Sequence, residues 1–158
     1  MRLDVGIGEW KVSNRPEDEL KTYALGSCVG VCAYDTINRV GGLMHIALPY
    51  SEINPKKADL LPGYFADTGL PLFFNDLKEM GAERLYTWIK LVGGSSMLDY
   101  KRRFDIGKRN VNAIRDILAE NWIQIKDEDT GGDYSRTVSL FVNDGRIVIS
   151  NSGEKWEI

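Results

Sequence analysis

Apolar and polar residues along the chain change period several times, and each change marks a predicted element. Leu3, Val5, Ile7, Trp10 and Val12 alternate loosely, which predicts a first strand and its continuation over residues 2–13, ended by a polar turn at 14–18. Residues 20–25 form a second strand. Residues 29–34, Val-Gly-Val-Cys-Ala-Tyr, are an unbroken apolar run, the mark of a buried strand. A reversing turn at Asp35-Thr36-Ile37-Asn38 leads into a return strand over 39–48, which Pro49 ends. The polar stretch 50–62, with Pro55 and Pro62, reads as a flexible rim loop.

The period then lengthens. Phe65, Leu70, Phe73, Phe74, Leu77 and Met80 recur at helical spacing over 63–80, with Pro71 in the first turns and Gly81 as the stop. Residues 85–92 alternate as a central strand. Residues 107–122 are helical again, with Val111, Ile114, Ile117 and Leu118 on one face and Arg109, Asn112, Arg115 and Asp116 among the polar positions. A strand over 123–128, a turn at 129–132, a hairpin of 137–142 and 146–150 around Asn143-Asp144-Gly145, and an edge segment at 151–158 complete the chain. About nine strands and two helices, with no internal repeat, predict an α+β fold of stacked mixed sheets with both helices on one face. The 158 residues suit one domain, 1–158.

Charge narrows the partners. Twenty basic residues against 23 acidic ones give a net charge of −3, and no Lys/Arg run offers a footprint for nucleic acid or anionic lipid, so neither is an expected partner. No segment approaches the ~20 apolar residues that cross a bilayer, and the first ten residues lack the apolar stretch of a secretory signal. Two thiols without a targeting segment predict a reducing, cytoplasmic location. Glycine, 16 of 158 residues, exceeds the usual ~7%. Its pairs at 41–42, 93–94 and 131–132 suit tight turns near a cleft, although ordinary loops use them too.

The chemistry concentrates between Thr22 and Pro49, which hold both cysteines and the only histidine. Cys28 follows a Leu25-Gly26-Ser27 turn at the mouth of the buried strand, and an antiparallel return carries His45 back beside it. An imidazole beside a thiol takes its proton, and the thiolate attacks an electrophilic carbonyl. The Gly26-Ser27 turn is placed to aim backbone N–H groups at the oxyanion formed on attack. Thr22, on the strand entering that turn, is placed to accept from the far ring nitrogen and hold the imidazole.

Blander roles compete with these. Cysteine is commonly a buried core residue, and Cys32 is read as one. On a strand the Cα atoms of Cys28 and Cys32 lie about 13 Å apart, beyond the roughly 7 Å a disulfide spans. One histidine and two cysteines do not fill a zinc shell, so no metal and no cofactor is expected. Gly93-Gly94-Ser95-Ser96 lacks the ending of a phosphate-binding loop. Tyr100 and Phe104, in the charged stretch 98–105, fit either a solvated loop or a partner-docking edge.

These residues carry a family likeness. LGSCVGVCAYD at 25–35 and GGLMHIALP at 41–49 resemble the CheD family of chemoreceptor glutamine deamidases. So do GIGEWKVS at 6–13, YFADTGL at 64–70, KLVGGSSM at 90–97, IGKRNV at 106–111 and EDTGG at 128–132. The resemblance implies a three-layer α/β/β sandwich similar to cytotoxic necrotizing factor-type deamidases, and catalysis by Cys28, His45 and Thr22. It also implies that Gly93 and Gly94 line the cleft. The implied reaction is hydrolysis of glutamine side chains to glutamate on methyl-accepting chemotaxis receptors, through a thioester. The alternative it implies is a regulatory binding partner of receptors and of a CheC-type phosphatase, with catalysis secondary; a general cysteine amidase or protease shares only the nucleophile.

Overall fold

Among residues 1–96 and 105–158, which the computed structural model describes, ten strands form two five-stranded sheets. The first sheet holds β1 (Arg2–Asp4), β3 (Glu19–Leu25), β8 (Arg136–Phe141), β9 (Ile147–Asn151) and β10 (Glu154–Glu157), side by side in that order. The second runs β2 (Trp10–Ser13), β5 (Val40–Ile46), β4 (Val29–Asp35), β6 (Thr87–Gly93), β7 (Ile125–Thr130). Both are mixed: β1 lies parallel to β3 and β7 parallel to β6, and the other pairs are antiparallel. Three α-helices accompany them: α1 (Pro55–Leu60), α2 (Ala66–Glu79) and α3 (Ile106–Glu120).

The unbroken apolar run explains the layering. Every residue of β4 is buried, because alternate side chains feed different cores. Val29, Val31 and Ala33 join Met44, Ile46, Leu70, Phe73 and Ile114 beneath the helices. Cys32 and Tyr34 join Leu20, Leu43, Val138, Leu140 and Ile149 between the sheets. Each such Val, Leu or Ile contributes roughly 1.5–3 kcal/mol by leaving water, so a strand apolar on both faces settles in the middle layer. The α+β sandwich expected from the sequence is this helix/sheet/sheet stack.

Several boundaries differ from the sequence pattern. Residues 2–13 are two strands in different sheets, joined by a crossover at 5–9. The 50–62 stretch is partly ordered by α1, where Pro55 occupies the first turn and the Asn54 side chain accepts from the Lys57 N–H. Helix α2 begins at Ala66, after a tight turn at Pro62–Tyr64, and continues through Pro71. Strand β7 begins and ends two residues later than expected, so Asp129 and Thr130 pair with β6 and do not form a turn. Among the described residues no helix is long and apolar enough to cross a membrane.

Candidate active site

The predicted hairpin brings Cys28 and His45 to one end of the second sheet. In its register Gly30 lies opposite His45, and Val29 opposite Ile46. Cys28 is two residues before Gly30, so it shares the inter-sheet face with His45 as its diagonal neighbour. The turn at Gly26-Ser27 is a corner where the chain leaves the first sheet and enters the second.

Thr22 reaches the histidine from the facing sheet. Its Oγ1 lies 2.7 Å from His45 Nδ1 and 2.7 Å from the Val5 carbonyl oxygen. A hydroxyl has one proton, and a carbonyl can only accept, so Oγ1 donates to Val5 and accepts from Nδ1–H. That assigns the ring tautomer: the lone pair is on Nε2. Nε2 is buried and has no hydrogen-bond partner. The crossover at 5–9 frames the same ring, since Gly8 N–H donates to the His45 carbonyl and His45 N–H donates to that of Glu9.

An irregular strand makes the Thr22 contact compatible with the turn. The β3–β8 register shifts between Thr22 and Leu25, and Ala24 sits in the left-handed region with φ 50°. Thr22 and Leu25 are both fully buried, which strict alternation forbids for positions three apart. The bulge turns Leu25 into the core and aims the chain at Gly26. Positive φ at a non-glycine residue is strained, and such strain collects at functional sites.

Burial favours the neutral form of both the Cys28 and the His45 side chain. Burial drives the His45 pKa down from 6.5 to about 4. Burial also raises that of the half-buried Cys28 thiol, with its own backbone N–H pulling the other way. Cys28 and His45 thus share a sheet face as a thiol and a neutral imidazole with no hydrogen bond between them, unlike a preformed thiolate–imidazolium pair. Cys32, fully buried in the core between the sheets, is pushed up to about 12 by burial, with Lys90 opposing.

The glycine pair at the end of β6 braces the Cys28 turn. Gly94 N–H donates to the Cys28 carbonyl at 2.8 Å and Ser95 N–H to that of Gly26 at 2.9 Å. Gly93 has φ +112°, and a Cβ there would run into the Cys28 carbonyl oxygen. Only glycine fits so close an approach at that φ. Behind this brace, Gly131 N–H donates to the Gly93 carbonyl and Ser96 N–H to that of Gly132. Buried Arg136 fastens that layer, donating to the Gly131 carbonyl and pairing with Asp129 at 3.1 Å.

Asn110 and Arg136 escaped the sequence reading. Asn110, on α3, is fully buried and donates through Nδ2 to the carbonyls of Ser27 (2.9 Å) and Ala47 (3.0 Å). The available signal was a polar residue on the stripe of Gly107, Val111, Ile114 and Leu118, inside IGKRNV. Arg136 gave none: a charged residue opening a strand ordinarily points to solvent. Tyr100 and Phe104 lie outside the described residues. Among the described residues no group of three or more His, Cys, Asp or Glu is placed to hold a metal ion.

Residues 47–151 match the family described as CheD chemotactic sensory transduction. The chain is 42% identical over 159 residues to the probable chemoreceptor glutamine deamidase CheD of Syntrophotalea carbinolica, covering 99% of this chain and 98% of that protein. It is 42% identical over 149 residues to the probable chemoreceptor glutamine deamidase CheD 1 of Syntrophus aciditrophicus (94% and 93% covered). It is 39% identical over 156 residues to the probable chemoreceptor glutamine deamidase CheD of Archaeoglobus fulgidus (96% and 96%). The family match starts just after His45, whereas a relative covering 99% of the chain spans Thr22, Cys28 and His45 as well.

Proposed function

The chain belongs to the CheD family, and from that premise we propose that it is a protein-glutamine glutaminase acting on glutamine side chains of chemotaxis receptors. Cys28 is its nucleophile, His45 its base and Thr22 the residue that orients the ring. One observation carries this reading: Thr22 takes up Nδ1–H, so the unpartnered lone pair of His45 is on Nε2, on the face shared with Cys28.

As the Cys28 sulfur bonds to the carboxamide carbon, Nε2 takes the thiol proton. The carbonyl becomes an oxyanion, which backbone N–H groups at Ser27 and Cys28 stabilise. The imidazolium returns the proton to the amide nitrogen, the C–N bond breaks and ammonia leaves a thioester. Water then attacks the thioester as Nε2 accepts its proton, and expulsion of the sulfur regenerates the thiol and leaves glutamate. A base with a pKa near 4 is weak, but protonating it in the transition state creates charge beside the developing oxyanion, which lowers the cost of both. Burial keeps the ring available as a base well below pH 6.5.

The test is mass spectrometry of a receptor cytoplasmic fragment after treatment with wild type and Cys28→Ala. Wild type should convert chosen glutamines to glutamates without cutting the chain, and the variant should release no ammonia. Ammonia release by Cys28→Ala would overturn the assignment, and cleavage would point to a protease. The family likeness also supports a CheC-type phosphatase as a binding partner. A pull-down that works equally with Cys28→Ala would make that an adaptor role independent of the thiol.

A further inference from the structure

Asn110 touches both the Cys28 turn and the end of the His45 strand. Its two Nδ2 protons are committed, one to the carbonyl before the nucleophile and one to the carbonyl two residues beyond the base. The Ser27 carbonyl belongs to the same peptide plane as the Cys28 N–H, so a donor on that oxygen fixes the direction of the N–H and strengthens it as a donor. The Ala47 carbonyl continues β5 past His45, at the place where Cys28 would be paired if the ladder ran one step further. The side chain is completely buried, and its Oδ1 has no partner, so the site retains an amide there despite an unsatisfied acceptor.

We propose that Asn110 is a positioning residue for the deamidation, whose side-chain amide bridges the Ser27 and Ala47 carbonyls and so sets the Cys28 turn against the His45 strand. No other side chain among the described residues donates to both the Cys28 turn and the end of the His45 strand. The backbone contacts of Gly94 and Ser95 hold the turn to β6 only. Removing the bridge leaves β4 and β5 paired from Val29 onward but frees the corner that aims the sulfur. A shift of an ångström there is enough to lower turnover while the substrate still binds.

The inference rests on the deamidase reading for its kinetics and is independent of it for its chemistry, so two measurements run together. The first is the pH dependence of Cys28 alkylation by iodoacetamide, read by peptide mapping, in wild type, His45→Ala, Asn110→Asp and Asn110→Ser. The second is kcat and KM for a receptor fragment. Asn110→Asp is isosteric but presents two oxygens to two carbonyls; Asn110→Ser serves at most one and decides the matter if the aspartate variant does not fold.

Either variant should lower kcat roughly 10- to 100-fold with KM within about twofold, and its alkylation profile should lose the His45-dependent part and approach that of His45→Ala. Asn110→Gln, which keeps the double donor on a longer stem, should recover part of both. A folded variant that alkylates like wild type overturns the inference. So does one whose deficit disappears once activity is scaled to the folded fraction, since that makes Asn110 a contact of the fold alone. If wild type itself deamidates nothing, the deamidase reading falls and the alkylation profiles still decide the role of Asn110.

Discussion

The hairpin of β4 and β5 has two ends, and they treat buried polar groups in opposite ways. At the closed end Asp35 is fully buried and saturated: its carboxylate accepts from the N–H groups of Ile37, Asn38 and Glu83 and from the Asn38 side chain. Burial pushes its pKa up, but the donors from Glu83, Asn38 and Ile37 win and hold it below the usual carboxylate range. At the open end His45 Nε2, Asn110 Oδ1 and Ser95 Oγ are buried without partners. Such groups weaken a fold by about 1–3 kcal/mol each, so the open end gives up stability that the closed end secures. The lesson is that the same pair of strands carries a carboxylate whose hydrogen bonds are complete and an imidazole left with a free lone pair.

Substitutions should therefore separate activity from stability. The largest effect is expected from His45→Asn: kcat falls roughly 10²–10⁴-fold with loss of the base, while the urea midpoint at pH 7 stays close to wild type because Nε2 holds no hydrogen bond. A large loss of stability in that variant would break the comparison. Asp35→Ala should do the reverse. Leaving its donors unpaired lowers stability by about 3 kcal/mol, measured by urea unfolding, with kcat per folded molecule within about twofold of wild type.

Acid sharpens the contrast. Between pH 6.5 and about 4 the unfolded chain takes up a proton on His45 that the folded chain refuses, so stability falls as pH drops through that window and levels off below it. The fall is on the order of 3 kcal/mol and should be missing from His45→Asn when unfolding is measured across the window. Asp35 acts lower down: its contribution is present above the ordinary carboxylate range and is lost as pH falls through its depressed folded value. The variant should thus keep only the second, more acidic loss.

Thr22 offers the smallest of these effects. Thr22→Val removes the acceptor of Nδ1–H and frees the other tautomer, which should lower kcat about 10- to 100-fold, the worth of one buried hydrogen bond to a polar ring. Thr22→Ser keeps the hydroxyl and should restore most of it. Equal kinetics for the two variants would remove Thr22 from the mechanism.

Much of this was legible along the chain. Period-two alternation, the reversing turn at 35–38 and the Asn143-Asp144-Gly145 turn each constrain a few neighbouring residues, and local steric rules are enough to place β4 against β5 and β8 against β9. The placement of Cys28 and His45 on one face was legible because it depends on a single turn. The bulge at Ala24 was not, since nothing in Thr22-Tyr23-Ala24-Leu25 prefers a positive φ; the demand that both Thr22 and Leu25 point inward imposes it. The division of residues 2–13 between two sheets was equally hidden, because alternation is the same in either sheet.

The sequence by itself determined the hairpin that sets Cys28 and His45 on one sheet face, the helical stretches and the kinship, because each rests on residues close together in the chain or on a string long enough to be specific. Tertiary structure alone decided that Thr22 faces His45 across the gap between sheets, that Val5 sets the tautomer, and that Asn110 and Arg136 turn inward. Those choices are made between segments far apart in the chain, where burial and the completion of hydrogen bonds select among local conformations of nearly equal energy.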